Sequence, residues 1–338
     1  MPRPTTPTID RTTQLEAALS AWGPLAFDRG AYERFAADWA IEPGATLSRA
    51  TLDATAFVFA FGADRGDPVQ VEQVGDCGLN GSGYLRVAAV GSRALKRGSK
   101  VAVIPIMGPV TPFQAPKWYA EFGIRVAALP NIVTAARAAA NDPEVGRIVY
   151  AVHSPGGSAF GVGEAAAALR EVSKTKPTVA AVTYLSASAA YWLSSAQREI
   201  VAAPSALIGS VGVRVTHMDV SKALDDMGIR MTELSMPESK SDLSPYKPLS
   251  DTARAELMRT VEDIYGVFAA DISSARRIDM GKDGEQYGRV HPASHAKSIG
   301  MVDRVATFEA ILGESAPPAD LTATRRARLA ILERQVKT

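Results

Sequence analysis

The chain is poor in cysteine, in histidine and in net charge, and it has no long uninterrupted apolar run. One cysteine, Cys77, in 338 residues excludes an internal disulfide and fits a reducing compartment. It sits in the glycine-rich GDCGLNGSG, where nothing supports a thiol nucleophile. The 37 basic and 36 acidic residues leave a net charge of +1, so no excess of one sign points to nucleic acid or an anionic membrane. The N-terminal MPRPTTPTIDR has no apolar core of the signal-peptide kind. The uncharged stretch 177–197 is interrupted by Thr183, Ser186, Ser188, Ser194, Ser195 and Gln197. Its pattern turns from strand-like to helical midway, so it reads as interior rather than membrane span. The expectation is a cytoplasmic protein with neither a membrane anchor nor a nucleic-acid partner.

What is present is ordinary globular material, 46% hydrophobic and 22% charged. A Pro/Thr-rich tail runs to Thr8. Two short amphipathic helices follow, one with Leu15, Leu19 and Trp22 on a face, the other with Tyr32, Phe35 and Trp39. Further on come a helix around Leu52–Phe59, a strand at Leu85–Val90 and a basic linker, LKRGSK. At Val101 the character changes. VAVIPI reads as a buried strand, 131–140 as a helix, 147–152 as a strand, 163–174 as a helix, and Thr178 opens a third strand. Such alternation with short turns signals βαβ units and a mainly parallel sheet. The expected division is an N-terminal extension over 1–97, one α/β domain over 98–313 and a basic helical tail over 314–338.

The richest stretch is 178–213, read as strand, sharp turn, helix, strand, glycine turn, strand. At its turn Ser188 is flanked by Ala187, Ala189 and Ala190, too small to cover its hydroxyl. In α/β sheets chemistry collects at the carboxyl ends of strands, so Ser188 is either a nucleophile or a small residue that lets a helix start pack closely. The preceding strand ends in HSPGGS, residues 153–158. A Pro-Gly-Gly turn can aim backbone N–H groups at a developing oxyanion, or simply turn the chain.

A serine nucleophile needs a base. Of the four histidines, His153 has no acidic partner nearby in sequence, His217 follows a strand, and His291 and His295 lie in a helix entry, HPASHAK. Lysine can serve where burial lowers its pKa. Lys240 stands apart from the lysines of solvated helix faces. It lies in the loop SMPESKSDLSPYKPLS, between a strand over Met231–Leu234 and a long helix N-capped by Ser250. In that helix Leu257, Val261, Ile264, Phe268 and Ile272 recur at steps of three and four, the pattern of a packed amphipathic helix.

From about Val101 to Leu312 the sequence resembles the signal peptide peptidase A family of Ser-Lys serine proteases, in particular its phage minor capsid or prohead branch. The matching pieces stand in order: VAVIPIMGPV, HSPGGS, SASAAYW, ALIGSVGV, ESKSDLSPYKPLS and GRVHPASHAKSIGMVDRV. The resemblance implies a crotonase/Clp-like layered α/β fold with a mainly parallel sheet. It makes Ser188 the nucleophile and Lys240 the general base, 52 positions apart from 188 to 240. It makes the backbone N–H groups of Gly157 and Ala189 the oxyanion donors and Ser210 the residue that orients the lysine. No metal or cofactor is implied.

In the family the lysine commonly reaches the serine across a subunit boundary, so with a single such domain a homo-oligomer is expected. The substrate is a protein or peptide, with capsid scaffold or portal proteins as partners and association with the virion or prohead. Alternatives are a soluble signal-peptide-peptidase-like protease of the host, a capsid-assembly protein of the same fold without catalysis, and a crotonase-type acyl-CoA enzyme. The sequence departs from the family's habit at His153, where an acidic or polar residue is common, at Ala190, often glycine, and at Pro237 and Glu238, where a glycine commonly precedes the lysine.

Overall fold

A computed structural model describes residues 71–76, 80–88, 100–116, 119 and 124–313. The chain divides into two units, Met1–Leu47 and Ser48–Thr338, and the described residues belong to the second. The expected helices near residues 15–22, 32–39 and 52–59, the linker as far as Ser99, Cys77 and the C-terminal tail lie outside the described residues.

In chain order the strands are β1 (Val71–Val74), β2 (Tyr84–Ala88), β3 (Lys100–Met107), β4 (Val110–Thr111), β5 (Ala127–Ala128), β6 (Val145–Ser154), β7 (Thr178–Ala187), β8 (Glu199–Ala202), β9 (Leu207–Gly209), β10 (Val290–Pro292) and β11 (Arg304–Val305). The helices are α1 (Leu129–Asn141), α2 (Val162–Thr175), α3 (Ala189–Ser195), α4 (Ser221–Asp226), α5 (Asp251–Arg276), α6 (Met280–Tyr287), α7 (Ala293–Ser298) and α8 (Phe308–Gly313).

Among the described residues nine strands form one sheet, ordered β1-β2-β3-β6-β7-β8-β11, with β9 on β7 and β10 on β9. Strands β3, β6, β7, β8 and β11 run parallel, as the alternation of strand and helix requires. Strands β1 and β2 add an antiparallel edge, so the sheet takes in residues well before position 98.

The apolar runs of the central strands bury both faces. On one face Ile104, Ile106, Ile148, Tyr150 and Val182 meet α1, α2 and α3 through Ala136, Leu169 and Leu193. On the other, Val101, Val103, Val149, Ala151 and Val201 meet Phe308, Ile311 and Leu312 of α8. The alanines of α1 and α2 keep their helices close to the sheet, and Pro130 occupies the first turn of α1, where no N–H partner is lost.

The central strand β7 forks. Its first half, Val179–Val182, pairs with β8, and its second half, Leu185–Ala187, pairs with β9. The split opens the sheet at the carboxyl end of β7, where Ser188 follows. Strand β6 loses register with β7 between Val152 and Ser154, just before its own glycine turn.

One expected strand is absent. Residues Met231–Leu234 are irregular and exposed, since among the described residues this β-rich run pairs with no strand. His217 follows irregular chain rather than a strand.

Candidate active site

Ser188 caps α3 with φ 52 and ψ −126, a conformation that costs an L-residue on the order of 1–3 kcal/mol. The turn is held from both sides: the Ser188 N–H donates to the Gly209 carbonyl at 2.9 Å, and the Trp192 N–H donates to the Ser188 carbonyl at 3.0 Å. All seven residues of α3 are buried, whereas Ser188 itself is only half-buried. The strand end therefore presents a hydroxyl on a turn anchored beneath it.

The glycine turn lies directly against this serine. A β-carbon on Gly156, where φ is +90, would fall 2.7 Å from the Ala187 carbonyl oxygen and 3.0 Å from the Ala189 nitrogen. The Gly156 N–H donates to the buried Ser154 Oγ at 3.1 Å. The Val110 N–H donates to the Gly156 carbonyl at 2.7 Å, and the Ser158 N–H donates to the Val110 carbonyl at 3.0 Å. In this parallel bridge the N–H of the intervening Gly157 faces away from Val110. A β-carbon on Gly157 would meet the Val110 oxygen at 2.2 Å. The Ala189 N–H opens a helix, where amides have no intrahelical acceptor.

These residues share a cleft of about 880 Å³ lined by Gly156, Gly157, Ser188, Ala189 and Ser210. Ser210 also has positive φ, 56, and its N–H donates to the Arg289 carbonyl at 2.8 Å. The opposite wall was not legible as such. Leu257, Val261 and Ile264 of α5 line the cleft, and only Ala253, Phe268 and Ile272 of that helix are buried. The apolar stripe expected to pack throughout thus packs in its C-terminal half and walls the cleft in its N-terminal half. Its start is as expected, with Ser250 Oγ accepting from the Ala253 N–H at 3.1 Å.

A polar junction fixes α3 to α5. The Trp192 indole stacks on Phe268 with centroids 4.4 Å apart and planes 9° from parallel. Its Nε1–H donates to Asp271 Oδ2 at 2.7 Å, and Arg170 Nη2 donates to the same oxygen at 3.0 Å. Spacing alone could not have assigned this role to Asp271, 79 residues from Trp192.

Lys240 is not among the residues brought together. It lies in a 3-10 turn, Glu238–Ser241, is exposed, and does not line the cleft. The turn is internally tied, with Ser241 Oγ donating to the Glu238 carbonyl at 3.0 Å and Lys247 Nζ donating to Ser241 Oγ at 3.1 Å. Around it the chain from Val215 to Tyr246 exposes large apolar side chains, with Leu234 94% and Met236 91% exposed. Helix α4 in this arm buries no residue.

None of the four histidines is among the described residues lining the cleft. His217 Nε2 pairs with the Ser244 carbonyl at 3.0 Å, and His291 Nε2 with the Gln286 carbonyl at 2.8 Å. Burial holds the His153 imidazole below the usual histidine range, and its ring meets Tyr184 edge-on at 5.3 Å.

Residues 170–322 match the model of peptidase family S49. That stretch of the chain is similar to this family. Among its curated relatives, Protease 4 of Salmonella typhi is 32% identical over 53% of this chain and 29% of that protein. Capsid assembly protease C of Escherichia phage lambda is 26% identical over 52% of this chain and 40% of its own length. A candidate protease of Methanocaldococcus jannaschii is 29% identical over 50% of this chain and 54% of its own. The chain thus spans about half, or less, of the length of these relatives. A solved structure of ClpP1 from Listeria monocytogenes matches 62% of this chain and 94% of its own at 13% identity and a TM-score of 0.36. That likeness is slight, and the sheet order itself carries the fold assignment. Among the described residues no helix is long and apolar enough to cross a membrane.

Proposed function

We propose that this chain is a serine endopeptidase in which Ser188 is the nucleophile and Lys240 of a neighbouring copy is the general base. The observation that carries the reading is the strained, half-buried Ser188 turn facing the glycine turn in an open cleft. The match of residues 170–322 to a peptidase family supports it. The position of Lys240, exposed on an apolar arm outside the cleft of its own chain, supports completion of the site between copies. Exposed apolar surface of this extent marks an association face.

In this mechanism the amine of Lys240 takes the proton of Ser188 as Oγ attacks a peptide carbonyl carbon. The N–H groups of Gly157 and Ala189 stabilise the oxyanion. Collapse breaks the C–N bond, and the lysine returns the proton to the departing amine. Water, deprotonated by the same amine, then attacks the ester carbonyl and releases Ser188 and the carboxylate product. Ser210, on the cleft beside the serine, orients the lysine.

The relative from phage lambda named as a capsid assembly protease supports a role in phage head maturation, acting on scaffold or portal-type proteins within the prohead. Protease 4 of Salmonella typhi supports a second reading, a peptidase of the host. The activity is tested by incubating wild-type and Ser188→Ala protein with casein, followed by gel and sizing column. Cleavage by the wild type alone, from an oligomeric peak, is expected. Cleavage by both proteins would overturn Ser188 as nucleophile, and a well-formed oligomer that cuts nothing would favour a capsid-assembly protein without catalysis.

A further inference from the structure

We propose that Arg214 makes this cleft selective for peptides carrying a carboxylate within about four residues of the scissile bond, beside apolar side chains. The inference rests on the endopeptidase reading and names its substrate class. Arg214 is the one charged residue among the described residues lining the cleft, and no carboxylate lines it. It forms no ion pair or side-chain hydrogen bond among the described residues. Most other arginines of the described chain are engaged: Arg86 with Asp142, Arg170 with Asp271, Arg276 with Asp303 and Arg304 with Glu199. A guanidinium stays charged at every physiological pH and matches a carboxylate with paired donors. Arg214 is exposed on a cleft walled by Leu257, Val261, Ile264 and Phe160, where its charge is open to an entering substrate.

The backbone fixes where the charge acts. Past Val211, whose N–H donates to the Tyr287 carbonyl at 3.0 Å, the segment 212–215 makes no backbone hydrogen bond among the described residues while lining the cleft. It is an edge along which an extended peptide can lie. Ser210 lines the cleft with Ser188, and Arg214 is four residues further on, so at most about 14 Å of chain separates them. Ser188 adjoins this segment through its N–H bond to the Gly209 carbonyl at 2.9 Å, so at about 3.3 Å per residue for an extended substrate the Arg214 backbone runs beside a position about four residues from the carbonyl that Ser188 attacks. The apolar wall of α5 receives the neighbouring side chains.

The test uses the full-length oligomer and fluorogenic peptides that differ only in carrying Glu or Lys at each of the four positions on either side of the cut. Wild type is expected to prefer Glu over Lys about three- to tenfold in kcat/KM at one of these positions. Arg214→Glu is expected to invert that preference, and Arg214→Gln to abolish it. The same peptides are titrated by fluorescence anisotropy against Ser188→Ala protein with and without Arg214→Glu. Cleavage with a Glu/Lys ratio that Arg214→Glu leaves unchanged overturns the role of Arg214 and leaves the peptidase reading standing. Charge-selective binding that Arg214→Glu inverts, with no cleavage by wild type, supports Arg214 and removes the peptidase reading. Binding that is absent, or indifferent to charge, overturns the proposal.

Discussion

A β-carbon added to Gly156 would stand 2.7 Å from Cβ of Ser188. No two side chains approach so closely, so the two turns fit together only because one of them has no side chain. The geometry of the serine turn is thereby set by a residue 32 positions earlier in the chain.

Gly156→Ala should consequently disturb Ser188 before it disturbs the fold. Overpacking of this kind costs about 1–3 kcal/mol, and a displacement of about 1 Å at a nucleophile costs about a hundredfold in rate. The expected outcome is a Tm lowered by several degrees with kcat reduced at least that far, read from thermal melts and peptide cleavage. A variant as active as wild type would show that the glycine turn does not set the serine.

Ser188→Ala and Lys240→Ala should each abolish cleavage with Tm and oligomer size unchanged. Mixing them separates the two places the lysine can come from. If the base belongs to a neighbouring copy, subunits exchanged at equal ratio regain about a quarter of wild-type activity, since each partner of a site is intact in half the subunits. If the base comes from the same chain, the mixture stays inactive.

Asp271→Ala leaves the Trp192 indole N–H and Arg170 without their shared acceptor. An unsatisfied buried donor costs about 1–3 kcal/mol, and α3 loses its tie to α5. Tm should fall and kcat should drop more than KM rises, with Asp271→Asn retaining part of both through its remaining carbonyl oxygen. Unchanged kcat in Asp271→Ala would confine this residue to stability.

Acid sensitivity should have an identifiable component at His153. Burial depresses its pKa in the folded chain below the ordinary histidine value of 6.5, so below that pH the unfolded chain binds a proton that the folded chain does not. Stability is present above pH 6.5 and declines as the pH falls through that value towards the folded pKa. Melts of wild type and His153→Gln between about pH 7.5 and 5 should show a steeper decline for wild type. Parallel curves would remove His153 from the acid response.

Much of the sheet was legible because buried parallel strands and alanine-rich helices advertise themselves locally. The helix read at 131–140 spans Leu129–Asn141, the one read at 163–174 spans Val162–Thr175, and the strand read at Leu85–Val90 spans Tyr84–Ala88. Ser188 is singled out in the sequence by its small neighbours, and the structure places it with Gly157, Ala189 and Ser210 in one cleft. What remained hidden depends on distant partners. Periodicity marks Leu257, Val261 and Ile264 as one stripe but says nothing about whether protein or an open cleft faces it. The run Met231–Leu234 has strand composition, yet composition does not supply a neighbouring strand. The shared acceptor Asp271 gives no local signal, since its partners lie in two other helices.

The exposed lysine turn has a consequence for control in time and space. On the proposed reading a newly made chain carries half of the chemistry in its cleft and the other half on an arm that cannot serve that cleft. Each molecule is then harmless while dilute, and cutting begins only where copies accumulate. Inside a closed particle, crowding alone would then switch the enzyme on, and dispersal would switch it off again.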